Sequence, residues 1–129
     1  AAHRLMAIVE PFVSVRRPGE RAVNRLDADS VITSAAVAAG LGSTSAYTWL
    51  KLPVVPEMDR VLAATTLPAL LLGGEPKDDP DKTYSEWAAA LACPTAAGLV
   101  VGRTLLYPED GDVAGAVDVA VDLVHGGAR

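Results

Sequence analysis

The sequence predicts an α/β fold built from four parallel β/α units. Three observations lead there. Short apolar runs alternate with stretches of helical periodicity, four times over. All four runs are apolar on both faces, as parallel strands covered by helices are. Each run stops at a residue that breaks the strand or carries chemistry: Glu10-Pro11, Lys51 with Pro53, Gly73-Gly74 and Gly102-Arg103.

The first run is Leu5-Met6-Ala7-Ile8-Val9, which reads as a fully buried strand ending in a carboxylate and a proline. Residues 16–25 form a polar connection containing Pro18 and Gly19. Asp27 and Asp29 are each able to cap the helix that follows, with Val31, Ile32, Ala35, Ala36 and Ala39 at helical spacing and Gly40 at its C′ position. Tyr47-Thr48-Trp49-Leu50-Lys51-Leu52-Pro53 is the second strand, aromatic and β-branched, with Lys51 at its C-terminal end. Pro56 fits the first turn of a helix carrying Met58, Val61 and Leu62. The third strand covers 69–72. After an acidic loop, Thr83 and Glu86 form a capping box for a helix through Trp87 and Leu91. The fourth strand ends at Leu99-Val100-Val101, residues 104–107 make one helical turn, and Asp112 caps a last helix that Gly126 and Gly127 end. The strands are expected to pair in the order 5–9, 48–52, 69–72, 99–101, all parallel, with right-handed crossovers.

Composition excludes several function classes. A net charge of −5 disfavours a nucleic-acid partner, since phosphate backbones demand clustered Lys and Arg. Arg16 and Arg17 are the one basic cluster, with Arg21 and Arg25 nearby, and it reads as a solvated loop face. A single cysteine, Cys93, allows no internal disulfide, in keeping with a reducing cytoplasm. His3 and His125 lie at opposite ends without metal-ligand spacing, so no metal site and no cofactor are expected. No signal peptide and no apolar stretch of membrane-spanning length is visible.

In α/β folds ligands lie beyond the carboxyl ends of the strands. Those ends supply Glu10, Lys51, Gly73, Gly74, Gly102 and Arg103. Lysine is rare inside an apolar strand because burying an unpaired ammonium is costly. Desolvation favours a neutral amine, which is the form that adds to a carbonyl. The plainer alternative is a lysine at a strand edge, snorkelling to solvent, with Glu10 as its structural partner. Glycine corners admit an anion close to backbone N–H groups, and the plainer alternative there is two tight turns and a surface arginine. Four β/α units make either a small open sheet or half of a (β/α)8 barrel.

The ordered set Lys51-Leu52-Pro53, Leu70-Leu71-Leu72-Gly73-Gly74-Glu75-Pro76-Lys77 and Ala97-Gly98-Leu99-Val100-Val101-Gly102-Arg103 resembles the C-terminal half of a class I aldolase TIM barrel. The resemblance is to the archaeal-type (DhnA-like) fructose-bisphosphate aldolases and their deoxyribose-phosphate aldolase relatives, and more narrowly to an actinobacterial branch of aldolase-like β/α-barrel proteins. It runs over about 5–124. It implies that residues 1–129 are a single half-barrel corresponding to strands five to eight. It further implies a Schiff-base aldolase acting on a phosphorylated sugar or related keto compound. Lys51 matches the imine-forming lysine of the sixth strand. Gly73, Gly74, Gly102 and Arg103 match the phosphate-binding ends of the seventh and eighth. Glu10 departs from the pattern, because the family usually carries a proton-transferring tyrosine there. A carboxylate is able to serve as acid or base in its place.

The family also draws an acidic residue from a first strand, and nothing in this chain supplies it. The abrupt start at Ala1 points to a fragment of a longer enzyme, and pairing of two copies is the other way to complete a barrel. Two further readings stand beside the aldolase. One is a non-catalytic or truncated half-barrel that acts as an assembly module through its exposed strand edges. The other is a small flavodoxin-like binding domain, which wants a glycine-rich turn where this chain has Glu10-Pro11-Phe12. The expected partners are a small phosphosugar or keto substrate and either a second copy or the missing half, with no nucleic acid and no membrane.

Overall fold

A computed structural model describes residues 3–74 and 79–126. Residues Glu75, Pro76, Lys77 and Gly127, which the sequence places in a loop and at a helix end, lie outside the described residues. The chain runs β1 (Ala7–Val9), β2 (Ser14–Val15), β3 (Val23–Asn24), α1 (Ala28–Ala39), β4 (Thr48–Pro53), α2 (Met58–Ala63), β5 (Ala69–Leu72), α3 (Pro80–Leu91), β6 (Ala96–Val100), α4 (Arg103–Leu106) and α5 (Val113–His125). Strands β1, β4, β5 and β6 form one sheet in that order, and every pairing is parallel, as the strand–helix alternation predicts.

Burial in the sheet alternates with a period of two. Leu50 and Leu52 of β4 and Ala69 and Leu71 of β5 are fully enclosed. The register places Leu50 beside Ala69, Leu52 beside Leu71 and Leu71 beside Leu99, so these side chains share one face. Val31 and Ala35 of α1, Val61 and Leu62 of α2 and Ala90 of α3 complete that core. Each fully enclosed leucine contributes about 1.5–3 kcal/mol.

The opposite face corrects an expectation. It carries Ile8, Trp49, Lys51, Leu70, Leu72 and Val100, all half-buried or exposed, where strands buried on both faces were expected. The strands have apolar residues on this face, but no described helix covers it. β1 departs furthest from the buried strand that its composition suggests. Leu5, Met6 and Ile8 are more than half exposed, because β1 is an edge whose one partner is β4.

The polar connection after β1 is an antiparallel hairpin, with Ser14 opposite Asn24 and Val15 opposite Val23. Strands of two residues are too short to leave a periodic signal. The turn signal is the Pro18-Gly19 pair, and Gly19 adopts φ +80°.

Helix starts follow local chemistry. Asp27 caps α1 by accepting from the Ser30 N–H at 2.9 Å and from the Ser30 hydroxyl at 2.9 Å. Asp112 caps α5 by accepting from the Gly115 N–H at 3.0 Å. Two starts differ from expectation. Helix α3 opens at Pro80 under an Asp79 cap that accepts from Lys82 N–H, so Thr83 lies inside the helix, buried, donating back to the Asp79 carbonyl at 3.1 Å. An Asp-Pro pair satisfies the first turn earlier than the Thr83–Glu86 box does. Helix α2 begins only at Met58, leaving Pro56 outside it, and Glu57 takes a left-handed φ of 63° at its N-cap. Gly40 ends α1 in a right-handed conformation rather than as a left-handed C′ residue. No helix among the described residues is long and apolar enough to cross a membrane.

Candidate active site at the strand carboxyl ends

Glu10 follows β1 directly, and Lys51 is the fourth residue of β4, two short of the strand end at Pro53. Val9 pairs with Leu50, so the next residues along each strand, Glu10 and Lys51, fall side by side. The Lys51 Nζ donates to Glu10 Oε2 at 2.8 Å. The lysine side chain is 24% exposed and the glutamate 42%, so the pair sits at the rim of the open sheet face. At that exposure an ion pair is worth no more than about 1 kcal/mol, so stability gives little reason for its presence.

The other predicted residues gather one and two strands away. Gly73 and Gly74 follow β5, Gly102 caps α4 and Arg103 is the first residue of α4. The Thr104 hydroxyl, buried, donates to the Gly73 carbonyl at 3.4 Å and ties the two strand ends together. The two glycines after β5 are required for different reasons. A Cβ on Gly73 would stand 2.4 Å from Val101 Cγ1, so the close approach of the β5 and β6 ends needs a residue without a side chain. Gly74 has φ +70°, a conformation glycine adopts without penalty. A Cβ on Gly102 would meet nothing within 4 Å, so the protein's own packing does not demand glycine there.

These ends border one cleft of about 410 Å³. Glu10, Gly73, Gly74 and Arg103 line it, and Lys51 adjoins it through its bond to Glu10. Gly102 is set back from the lining, at the α4 cap. Pro53, Val54 and Leu72 complete the sheet side of the wall, and Phe12, Asn24 and Leu26, which the sequence does not point to, approach from the segments around the hairpin. The arrangement offers an amine held by a carboxylate at one end and two glycines with a guanidinium at the other. An amine is a group that adds to carbonyls, and glycine corners with a guanidinium are groups that receive anions. Among the described residues, no group of three or more His, Cys, Asp or Glu side chains is placed to hold a metal ion.

Comparison with known proteins follows the same outline. A family model described as Cgl0159-like matches residues 1–121. The crystal structure of Cgl0159 from Corynebacterium glutamicum superposes with a TM-score of 0.91 at 56% identity, over 98% of this chain and 42% of that one. An archaeal fructose 1,6-bisphosphate aldolase superposes with a TM-score of 0.75 at 21% identity, over 97% of this chain and 47% of that one. A structure of a Schiff base-forming fructose-1,6-bisphosphate aldolase gives 0.73 at 23% identity, over 95% and 46%. The chain therefore spans less than half the length of each of these three proteins. At such identities the likeness to the aldolases is one of fold: an α/β arrangement with a parallel sheet similar to half of an aldolase barrel. A search of curated proteins found no match.

Proposed function

The chain belongs to the Cgl0159-like family, and from the geometry at its strand ends we propose that it is the lysine-bearing half of a class I aldolase. In this reading residues 1–129 are the C-terminal half of a (β/α)8 barrel, strands five to eight. The open sheet face, with Ile8, Trp49, Leu70 and Leu72, is the barrel interior, which the other half fills. The observation that carries the proposal is the 2.8 Å contact between Lys51 Nζ and Glu10 Oε2 at the edge of a cleft whose far wall is Gly73, Gly74 and Arg103.

The chemistry follows from those atoms. Glu10 takes a proton from the Lys51 ammonium, and the freed amine adds to the substrate carbonyl carbon. The resulting carbinolamine loses its hydroxyl as water, with the proton returned by Glu10, and leaves an iminium on Lys51. The iminium draws the electron pair of the adjacent carbon–carbon bond as Glu10 removes the proton of the β-hydroxyl. An aldehyde departs and an enamine remains, which is protonated and hydrolysed to free the ketone and the lysine. Glu10 thus does the proton transfer for which the resembling aldolases use a tyrosine. The substrate phosphate rests against Gly73, Gly74 and Arg103, with Gly102 behind them at the α4 cap, and a guanidinium gives a bidentate contact that a lysine does not reproduce.

The test is retro-aldol cleavage by the full-length gene product on a panel of phosphorylated and unphosphorylated ketoses. Lys51→Ala is expected to abolish cleavage while Lys82→Ala retains it. Gly74→Val is expected to depress phosphorylated substrates more than unphosphorylated ones. Full activity in Lys51→Ala contradicts the proposal. The exposed apolar edge formed by Leu5, Met6 and Ile8 favours a second reading, a half-barrel that serves assembly alone. An inactive wild-type protein that is a stable oligomer or a completed barrel by native mass supports that reading instead.

A further inference from the structure

The hairpin within the polar connection supplies one wall of the cleft. Phe12, just before the hairpin, Asn24, the last residue of β3, and Leu26, two residues beyond it, face Glu10 and Gly73-Gly74 across the same cavity. Asn24 is the polar side chain among the three, and its orientation is held. Its Oδ1 accepts from the Ser14 hydroxyl at 2.7 Å, across the directly paired positions of β2 and β3. The hairpin itself is pinned where it leaves the sheet, because Arg25 N–H donates to the Val13 carbonyl at 2.8 Å. With Oδ1 engaged, the Nδ2 amide nitrogen keeps two N–H donors, and because Asn24 is exposed they are open to solvent or to a ligand in the cleft. Phe12 and Leu26 line the same cleft with apolar surface, which suits the carbon skeleton of a small molecule.

We infer that Asn24 is a specificity-determining residue of this site, donating through Nδ2 to a hydroxyl on the carbon chain of a polyhydroxylated keto substrate. The inference rests on the aldolase reading and adds what it lacks. Lys51 and Glu10 read the carbonyl, the glycine corner reads the phosphate, and neither distinguishes a hydroxylated chain from a deoxygenated one. A donor on a third element makes that distinction by the net worth of one hydrogen bond to the hydroxyl. Ser14 is the positioning residue, because its hydroxyl, bonded to Oδ1, holds the Asn24 side chain against the cleft wall.

Dihydroxyacetone phosphate and hydroxyacetone phosphate are suitable probes, since they differ by one hydroxyl. Binding of each is measured by calorimetry to the full-length protein carrying Lys51→Ala, in which no imine forms, with and without Asn24→Ala. Removing Asn24 is expected to weaken dihydroxyacetone phosphate about five- to tenfold, the worth of one hydrogen bond, and to leave hydroxyacetone phosphate unchanged. Ser14→Ala should give part of that loss and Ser14→Thr, which keeps the hydroxyl, should restore it. Equal weakening of both probes, no weakening of either, or no binding of either overturns the inference. Borohydride trapping on the lysine-bearing protein is read separately. Asn24-dependent binding without trapping overturns the aldolase reading and leaves the role of Asn24 standing. Trapping with Asn24-independent binding does the reverse.

Discussion

Gly73→Ala puts a number on the close approach between the strand ends that border the cleft. The added methyl stands 2.4 Å from Val101 Cγ1, 3.1 Å from its Cβ and 3.3 Å from its Cγ2. Carbon atoms pack at about 3.5–4.0 Å, so the strand end or the valine must retreat by about 1 Å. Val101 is half-buried and β-branched, which leaves it few rotamers to escape into. Gly73 has no positive φ, so the penalty is steric and not conformational. Overpacking of this kind costs about 1–3 kcal/mol, which corresponds to a fall of about 3–10 °C in Tm for a domain of this size. Thermal and urea unfolding of the single variants Gly73→Ala and Val101→Ala and of the double variant form a mutant cycle. The double variant is expected to recover most of the Gly73→Ala loss, a coupling of about 1–2 kcal/mol. A Gly73→Ala protein as stable as the parent, or a double variant with additive losses, refutes the packing argument and leaves ligand approach as the reason for the glycine.

Other outcomes follow from the same structure. Leu71→Ala, at a fully enclosed position between Leu52 and Leu99, is expected to destabilise the fold by about 2–5 kcal/mol in urea unfolding, whereas Leu41→Ala, at an exposed site, should change it by less than about 0.5 kcal/mol. The Asp27 carboxyl is held below the usual carboxylate range by the Ser30 backbone N–H, then by the Ser30 hydroxyl and the nearby Arg25 charge. Because its folded pKa is depressed, its stabilisation is present above the unfolded carboxylate pKa and lost as pH falls through the lower folded value. Asp27→Ala should therefore lower Tm at neutral pH and converge on the parent in strong acid. Glu10→Gln, which keeps the size of the side chain but not its proton affinity, is expected to reduce cleavage by about 10²–10⁴-fold in steady-state kinetics with little change in Tm.

Some of this molecule was readable residue by residue. The four strands announced themselves because each is an apolar run bounded by breakers, and parallel order follows when helices separate them. Asp27 and Asp112 were legible as caps because capping is a local bond between a side chain and an N–H three residues away. Lys51 stands out because an amine in an apolar strand needs a reason, and Glu10, its structural partner in the plainer reading of the sequence, lies beside it by the register. The open sheet face was not legible, since Trp49 and Leu70 look alike in sequence whether a helix or a barrel interior is to cover them. The hairpin escaped because two-residue strands carry no period. With it went Asn24 and Leu26, which reach the cleft through the pairing that folds the hairpin back. Gly73 could be read as a corner, but its quarrel with Val101 is a contact between strands and lives in the tertiary structure alone.

Borohydride reduction of the full-length protein in the presence of dihydroxyacetone phosphate, followed by peptide mass mapping, tests the central claim most directly. The account predicts one covalent adduct, on the peptide containing Lys51, absent without the carbonyl compound and absent in Lys51→Ala. An adduct on Lys77 or Lys82 in place of Lys51, or a protein that reduction leaves unlabelled with every keto compound on the panel, contradicts it.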